Sequence, residues 1–243
     1  MEWSIERLDT CDSTQDEAMA RARDGAAHGT VVIASRMEDG RGQHGRGWHA
    51  PEGGLYLSVV LRDIQEAKLV TLALGVAVAD VLEVAGAEPR LKWVNDVLVD
   101  DKKVAGILVE GESTGDALDF LAAGIGLNVN GDPAAWPSPL NDTATTLEAV
   151  LGAENCMEDL EAFLLESLDH RLRQLAQRPE DVVAAWRAKD ALMGREVGFD
   201  PDGDLCAKLI GTAAGIDDDG RLLIDVDGER QAFSSGRVWP HGN

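Results

Sequence analysis

The stretch LKWVNDVLVDDKKVAGILVE, residues 91–110, decides the fold class of this chain. Leu91–Asn95 and Val97–Val99 are short apolar runs of strand character, and Lys103–Glu110 is a longer one. Asp100-Asp101 between them is a turn pair, so the runs on either side form a hairpin and pair antiparallel. Phe120–Val129 returns as another strand, with Gly124 and Gly126 inside it, where a backbone or a ligand must approach closely. Upstream, Leu55–Arg62 alternates, Thr30–Ser35 is β-branched and apolar, and Trp3–Leu8 reads as an opening strand. Two helical patterns interrupt these strands. Asp12-Ser13-Thr14 is a helix-start signature ahead of an amphipathic stretch to about Ala26, and Gln65–Ala85 carries apolar residues at helical spacing. Many strands and few helices predict an α+β fold with a mixed β-sheet and flanking helices, not a doubly wound parallel sheet.

Downstream of a Pro133–Pro139 loop the pattern turns helical over Thr143–Leu151, Asp159–Leu175 and Glu180–Lys189. From Gly194 it changes again, to short β-like runs at Glu196–Phe199, Asp204–Gly211, Arg221–Val226 and Glu229–Phe233. Their spacing predicts a small barrel of about five strands. The expected division is a catalytic-sized domain over 1–190 and a small β domain over 191–243.

Composition narrows the functional classes. At 243 residues and 44% hydrophobic, the chain can bury a core. No apolar run nears the ~20 residues of a bilayer span, and no basic-then-apolar leader opens it. Cys11, Cys156 and Cys206 are odd in number and far apart, offering neither a metal pair nor a disulfide framework, so a reducing cytoplasm is expected. The 44 acidic residues against 22 basic ones give a net charge of −22, spread along the whole chain. Such a surface repels nucleic acid, whose binding needs Lys and Arg on the phosphates. It also reads as adaptation to a salt-rich interior, where ions screen self-repulsion.

Three clusters carry chemistry. Gly40-Arg41-Gly42-Gln43-His44-Gly45-Arg46-Gly47-Trp48 is too glycine-rich for a helix, and closely spaced glycines let backbone N–H groups converge on an anion. Arg41 and Arg46 add guanidinium forks suited to carboxylate or phosphate, although glycine spacing alone fits a surface loop equally well. No Gly-Lys-Ser/Thr follows, which excludes a Walker loop. The second cluster is Lys92-Trp93-Val94-Asn95-Asp96 with Lys103-Val104-Ala105-Gly106; the hairpin would set Asn95 and Lys103 on neighbouring strands. In the third, Gly124-Ile125-Gly126-Leu127-Asn128-Val129-Asn130, the two asparagines would share one strand face, where amides can read an adenine edge, although a turn just before Gly131 accounts for them equally well.

In this order the clusters resemble the biotin–protein ligase family, over residues 7 to about 238. Its hallmarks are a Gly-Arg-Gly loop followed by Trp, a Lys-Trp-x-Asn-Asp segment, a Lys-x-Ala-Gly-Ile-Leu strand and a Gly-Ile-Gly-x-Asn-Val-Asn strand. The resemblance implies a class II synthetase-like catalytic domain with an SH3-like C-terminal barrel. It implies an ATP-dependent enzyme that makes biotinyl-adenylate and passes biotin to a lysine of a biotin carboxyl carrier domain. ATP and biotin would be substrates, with Mg²⁺ on the triphosphate and no metal ligands supplied by the chain. Ser13, Thr14 and Gln15 would hold the ureido ring of biotin. Met37, Gly40, Arg41, Gly42, Gln43, Lys103 and Gly106 would complete that site. Arg41, Arg46, Trp48, Asn95, Asp96, Lys103, Asn128 and Asn130 would hold the nucleotide, and Lys103 and Arg41 would carry the chemistry.

The chain departs from the family at Gln15, Met37, Gln43 and Val94, where Asn, Gln, Arg and Pro are common; this blurs individual biotin contacts. A homodimer is expected, as family members often form one. DNA and membrane partners are not, because the catalytic resemblance begins near residue 1 and the surface is acidic. The competing readings are a lipoate or octanoate ligase, a biotin-sensing repressor and a non-catalytic biotin-binding module.

Overall fold

The computed structural model describes residues 1–201 and 209–241. Its strands are β1 (Ser4–Cys11), β2 (Thr30–Met37), β3 (Gly40–Arg41), β4 (Gly47–Trp48), β5 (Gly54–Leu61), β6 (Arg90–Lys92), β7 (Asp96–Val99), β8 (Lys102–Thr114) and β9 (Ala117–Asn128), then β10 (Glu196–Asp200), β11 (Leu209–Ile216), β12 (Leu222–Val226), β13 (Glu229–Phe233) and β14 (Arg237–Pro240). The helices are α1 (Thr14–Arg23), α2 (Val70–Val84), α3 (Leu140–Thr143), α4 (Leu147–Leu151), α5 (Met157–Gln177) and α6 (Pro179–Arg187). Seven strands form one sheet in the order β1-β2-β5-β9-β8-β7-β6. Only β1 and β2 pair parallel, joined through α1, and every other pairing in it is antiparallel. The expected mixed sheet is therefore present.

Strand alternation explains where the site can lie. Val31, Ile33, Leu57, Val59, Ala105, Ile107, Ala123 and Ile125 point to one face and join the main core with α2, α5 and α6. That burial explains why α2 is apolar nearly all round, with Asp80 meeting Arg171 of α5. The intervening Val32, Val60, Phe120 and Ala122 point the other way and pack under Ala18, Met19 and Ala22 of α1. The positions that continue this second face are Ser58, Gly124, Gly126, Asn128, Gly106 and Leu108, and all of them line an open cleft.

Three elements differ from their sequence-based expectation. The run Leu91–Asn95 is a strand only to Lys92; residues 93–95 turn, because Trp93 dives into the core and donates from Nε1 to the Gly220 carbonyl at 3.0 Å. The pattern Thr143–Leu151 is broken in two, since the Thr145 N–H bonds the Lys103 carbonyl at 2.9 Å and Thr146 caps α4. The Gln65–Ala85 helix begins at Val70, behind a single 3₁₀ turn.

The C-terminal strands form a separate five-stranded antiparallel sheet, β13-β12-β11-β10-β14, whose edge strands do not pair with each other among the described residues. The expected small β unit is there, as an open sheet and not a closed barrel. Part of the expected Asp204–Gly211 strand, and Cys206, lie outside the described residues. β14 had no sequence-based counterpart, since Arg237–Pro240 is short and ends in proline. Phe199, Val197 and Ile224 of this sheet merge with the main core, and the Phe199 ring lies 6.4 Å from that of Trp93.

Candidate functional site

One end of the cleft is built by the start of α1. Ser13 caps the helix, its side chain accepting from the Gln15 N–H at 3.2 Å. This places Thr14 and Gln15 over the sheet, where the three side chains are buried yet polar. The Ser58 hydroxyl reaches Thr14 Oγ1 at 3.0 Å and Gln15 Oε1 at 3.2 Å, and Gln15 Nε2 donates to the Ala122 carbonyl at 3.0 Å. Met37 Sδ accepts from the Thr14 N–H at 3.3 Å. Gly124 makes room for this cluster: a Cβ there would stand 2.7 Å from Gln15 Oε1. Sequence reasoning missed Ser58; its signal was a single small polar residue among the aliphatic and aromatic side chains of Leu55–Leu61.

The roof is the glycine-rich segment, folded as a two-residue ladder in which Gly40 pairs with Trp48 and Arg41 with Gly47. His44 and Gly45 take positive φ at its tip, and the Gly42 N–H is used by the Arg46 carbonyl at 2.7 Å. The segment is thus a small hairpin folded over the cleft, with the Gly42 amide turned inward to its own turn. Gly40 lies outside the cleft wall, because its Cα faces the Trp48 backbone, with an added Cβ only 2.5 Å from the Trp48 carbonyl. Arg41 reaches Glu110 at 2.6 Å and Asp16 at 2.5 Å.

The middle of the floor is glycine. Gly106 and Gly126 are direct cross-strand partners, and the Trp48 indole lies on both, so close that a Cβ on either would stand 2.8 or 2.6 Å from the ring. Trp48 Nε1 is buried without a hydrogen-bond partner among the described residues, as is Glu110 Oε2.

At the other end, Asp96 bridges two ammonium groups, Lys103 at 2.5 Å and Lys92 at 2.6 Å. Burial pushes the Asp96 carboxyl up, but the attraction of Lys103 and Lys92 outweighs it and holds the group well below the usual carboxylate range. Lys103 also lies 5.0 Å from the Trp48 ring centroid. As expected, the hairpin brings the two segments together, with Asn95 directly before β7 and Lys103 on the neighbouring β8, where Lys103 pairs with Asp96. A bulge at Val97/Leu98 shifts the register, and Asn95 turns its Nδ2 to the Ile107 carbonyl at 2.8 Å. Asn128 is buried in the cleft wall, donating to the Thr145 carbonyl at 3.1 Å.

Asn130 does not join Asn128. β9 ends at Asn128, and Asn130 turns away to bond the Asn155 backbone at both ends of its amide, each at 3.0 Å. Of the residues singled out from sequence, all but Gly40 and Asn130 line this one cleft. His49, Trp136 and Leu140 line it as well, with the rings of His49 and Trp136 5.7 Å apart. His49 and Trp136 come from loops and Leu140 opens the one-turn helix α3, stretches too short to show periodicity, so only the fold reveals them.

One cleft therefore offers a buried neutral hydrogen-bonding end, a flat glycine floor under an indole, and a cationic end. This suits a ligand with a polar ring, an acid group and a polyanion. Residues 9–130 match the biotin/lipoate A/B protein ligase family, and residues 208–238 match the biotin protein ligase C terminal domain. The biotin–[acetyl-CoA-carboxylase] ligase of Mycobacterium tuberculosis is 36% identical over 93% of this chain and 85% of its own length. The bifunctional ligase/repressor BirA of Bacillus subtilis is 32% identical over 93% and 71%. The biotin protein ligase of Aquifex aeolicus, solved with biotin and ATP, superposes with a TM-score of 0.84 at 28% identity, covering 98% of this chain and 99% of that one.

Proposed function

The chain belongs to the biotin/lipoate A/B protein ligase family, and from that premise we infer that it is an ATP-dependent biotin–protein ligase. Biotin and ATP are its substrates, and the acceptor is a carboxyl carrier domain of a biotin-dependent carboxylase. The observation that carries the residue roles is a single cleft with a neutral polar end at Ser13–Gln15 and a cationic end at Lys103, bridged by glycine.

On this reading Ser13, Thr14, Gln15 and Ser58 hold the ureido ring, whose urea group needs both donors and acceptors in a dry pocket. The valeryl chain runs along the Gly124 floor toward Lys103 and Arg41. A carboxylate oxygen of biotin attacks the α-phosphorus of ATP, the bond from that phosphorus to the bridging oxygen breaks, and pyrophosphate leaves. Two unit anions brought to ~4 Å repel by about 4 kcal/mol at an effective dielectric near 20. Lys103 and Arg41 offset that repulsion and stabilise the charge growing at phosphorus. Trp48 and Asn128 hold the adenosine, and the 40–48 hairpin keeps water from the mixed anhydride. The neutral amine of the carrier lysine then attacks the carbonyl carbon, AMP departs, and the amine loses a proton.

Mg²⁺ would arrive on the triphosphate. No three His, Cys, Asp or Glu side chains converge on a cation site among the described residues, and Asp96 is engaged by two lysines. The Asn95 side chain, on the cleft wall, would help hold the metal–nucleotide, and the ion would neutralise part of the triphosphate charge. The small unit from about residue 191 is read as the C-terminal domain. The homodimer rests on the family resemblance alone, and the exclusion of DNA on the acidic surface.

Incubation with ATP, Mg²⁺ and biotin is expected to yield biotinyl-adenylate, whereas lipoate or octanoate yields none; the reverse preference would make the chain an acyl ligase of another acid. Lys103→Ala should cut biotin-dependent ATP–pyrophosphate exchange by about a hundred-fold or more. Near-normal exchange would remove Lys103 from its role.

A further inference from the structure

Lys103 sits where the sheet runs out of partners. β8 pairs with β9 only from Ala105, opposite Leu127, because β9 ends at Asn128. Beyond that point the chain leaves the sheet. The Asn130 N–H turns to the Gly53 carbonyl at 2.7 Å, and the Val129 carbonyl accepts from the Glu148 N–H at 2.9 Å. On its other side Lys103 follows the Asp100-Asp101 turn and faces the Val97/Leu98 bulge. Between a turn, a bulge and a vacated edge, the ladder alone holds its backbone weakly.

Residues 144–146 take the vacated place. Ala144 bridges Lys103 in parallel, and the Thr145 N–H donates to the Lys103 carbonyl at 2.9 Å. Asn128 Nδ2 donates to the Thr145 carbonyl at 3.1 Å. Thr145 and Thr146 are buried although polar. Thr146 Oγ1 donates to the Gly131 carbonyl at 2.8 Å while accepting from the Ala149 N–H at 3.1 Å. The Gly131 N–H in turn donates to Glu148 Oε2 at 2.7 Å. One hydroxyl thus joins the chain leaving β9 to the start of α4, and the two residues before it lie against Lys103. Ala144 lines the cleft with Lys103 and Asn128, whereas Thr146 stands behind that wall.

We propose that Thr146 is a positioning residue for Lys103. By anchoring Ala144 and Thr145 it gives the lysine's backbone the strand-like neighbour that β9 does not, and so holds the ammonium where the α-phosphate reacts. The proposal rests on the role given to Lys103 above. A hydroxyl suits the task because it donates and accepts at once. Valine has nearly the same shape but does neither, and leaves a carbonyl and an N–H unpaired; serine does both. A slack segment lets Lys103 drift, and a misplacement of about 1 Å at a reacting group costs on the order of a hundred-fold in rate. Biotin is held at the far end of the cleft by Ser13–Gln15, so its binding does not depend on this anchor.

The test compares wild type, Thr146→Val and Thr146→Ser by biotin-dependent ATP–pyrophosphate exchange, with KM for biotin, direct binding of AMP and Tm measured for each. Thr146→Val should lower kcat about ten-fold or more, with KM for biotin and AMP binding within about two-fold of wild type, and Thr146→Ser should recover most of the rate. A Thr146→Val enzyme with a lower Tm but unchanged kcat would make Thr146 a helix cap only and overturn the proposal. So would weaker AMP binding with kcat intact at saturation, which would make the segment a nucleotide wall, or equal losses in the valine and serine variants. Should Thr146→Val not fold, Glu148→Ala removes the other bond at Gly131 from a more exposed position. It should lower kcat about three-fold with KM for biotin unchanged, and an unchanged kcat overturns the proposal. If wild type forms no biotinyl-adenylate, the ligase reading fails. Hydrogen exchange reads the anchor separately: the Thr145 N–H should be protected in the free protein, and unprotected exchange there would overturn the proposal whatever the substrate.

Discussion

Asp96 shows how much a single carboxylate can organise. It is the shared partner of Lys92 and Lys103, and each ammonium takes one of its oxygens. Because the two lysines hold its carboxyl far below the ordinary value, Asp96 is ionised at every pH where the enzyme is assayed. The sign follows from linkage. A depressed folded-state pKa adds stability that is fully present above the unfolded carboxylate value, near ~4, and is lost only as pH falls through the lower folded value. Asp96→Asn should therefore lower kcat for adenylation by about ten- to a hundred-fold, by the same factor between about pH 6 and pH 9, with KM for biotin nearly unchanged. A defect that grows or fades across that range, in steady-state exchange measured at closely spaced pH values, would show that the carboxylate titrates and that this account of Lys103 is wrong. The sequence presented Asp96 only as one member of a five-residue motif. Its bridging role depends on a bulge at Val97/Leu98, which no local pattern encodes.

At the scale of elements, strands β8 and β9 make the cleft by leaving side chains out. Gly124 clears space for Gln15, while the Gly106–Gly126 pair clears space for Trp48. The two clearances lie on one face but serve different ligands, so their loss should separate. Gly124→Val is expected to raise KM for biotin by about ten-fold or more and leave ATP little affected; Gly126→Val should do the opposite, with folding of the sheet retained in both by circular dichroism. If both variants impaired both substrates alike, the division of the floor would be wrong. The β9 glycines are legible in the sequence, because they interrupt a strand that is otherwise apolar and well formed. The hairpin at Asp100-Asp101 is legible too, and both residues adopt the positive φ that such a tight turn demands. Features set by partners distant in the chain are not. The break after Lys92 follows from Trp93 reaching Gly220, Asn130 is drawn to Asn155, and β14 exists only by pairing with β10. Periodicity reports a residue's neighbours two to four positions away, and these partners lie 25 or more positions off.

For the molecule as a whole, the question is how an enzyme of two anionic substrates works at a net charge of −22. Three of its basic groups, Arg41, Arg46 and Lys103, line the cleft, and most of the others are tied to carboxylates at the surface, as Arg21, Arg23, Arg173 and Arg230 are. Even if each lysine and arginine took one carboxylate, 22 of the 44 would have none. Salt acts on both populations. It weakens exposed ion pairs, each contributing at most about 1 kcal/mol, and it screens the repulsion among the unpaired acids. The second effect should win, since the excess charge repels over many pairs and distances, whereas each surface pair acts only at contact. The Debye length shrinks from ~10 Å at 0.1 M to ~3 Å at 1 M, so most of the gain should come below about 1 M. If screening removes about 2 kcal/mol of repulsion, Tm rises by roughly 4–8 °C for a chain of this size. Calorimetric melting in sodium chloride from about 0.05 to 2 M should trace a steep early rise that flattens. A sucrose series, which adds exclusion from the surface without screening, should lack the early steep part. A Tm that falls or stays level as salt is added would mean that the acidic surface costs the fold little, and that its net charge has no adaptive link to salt.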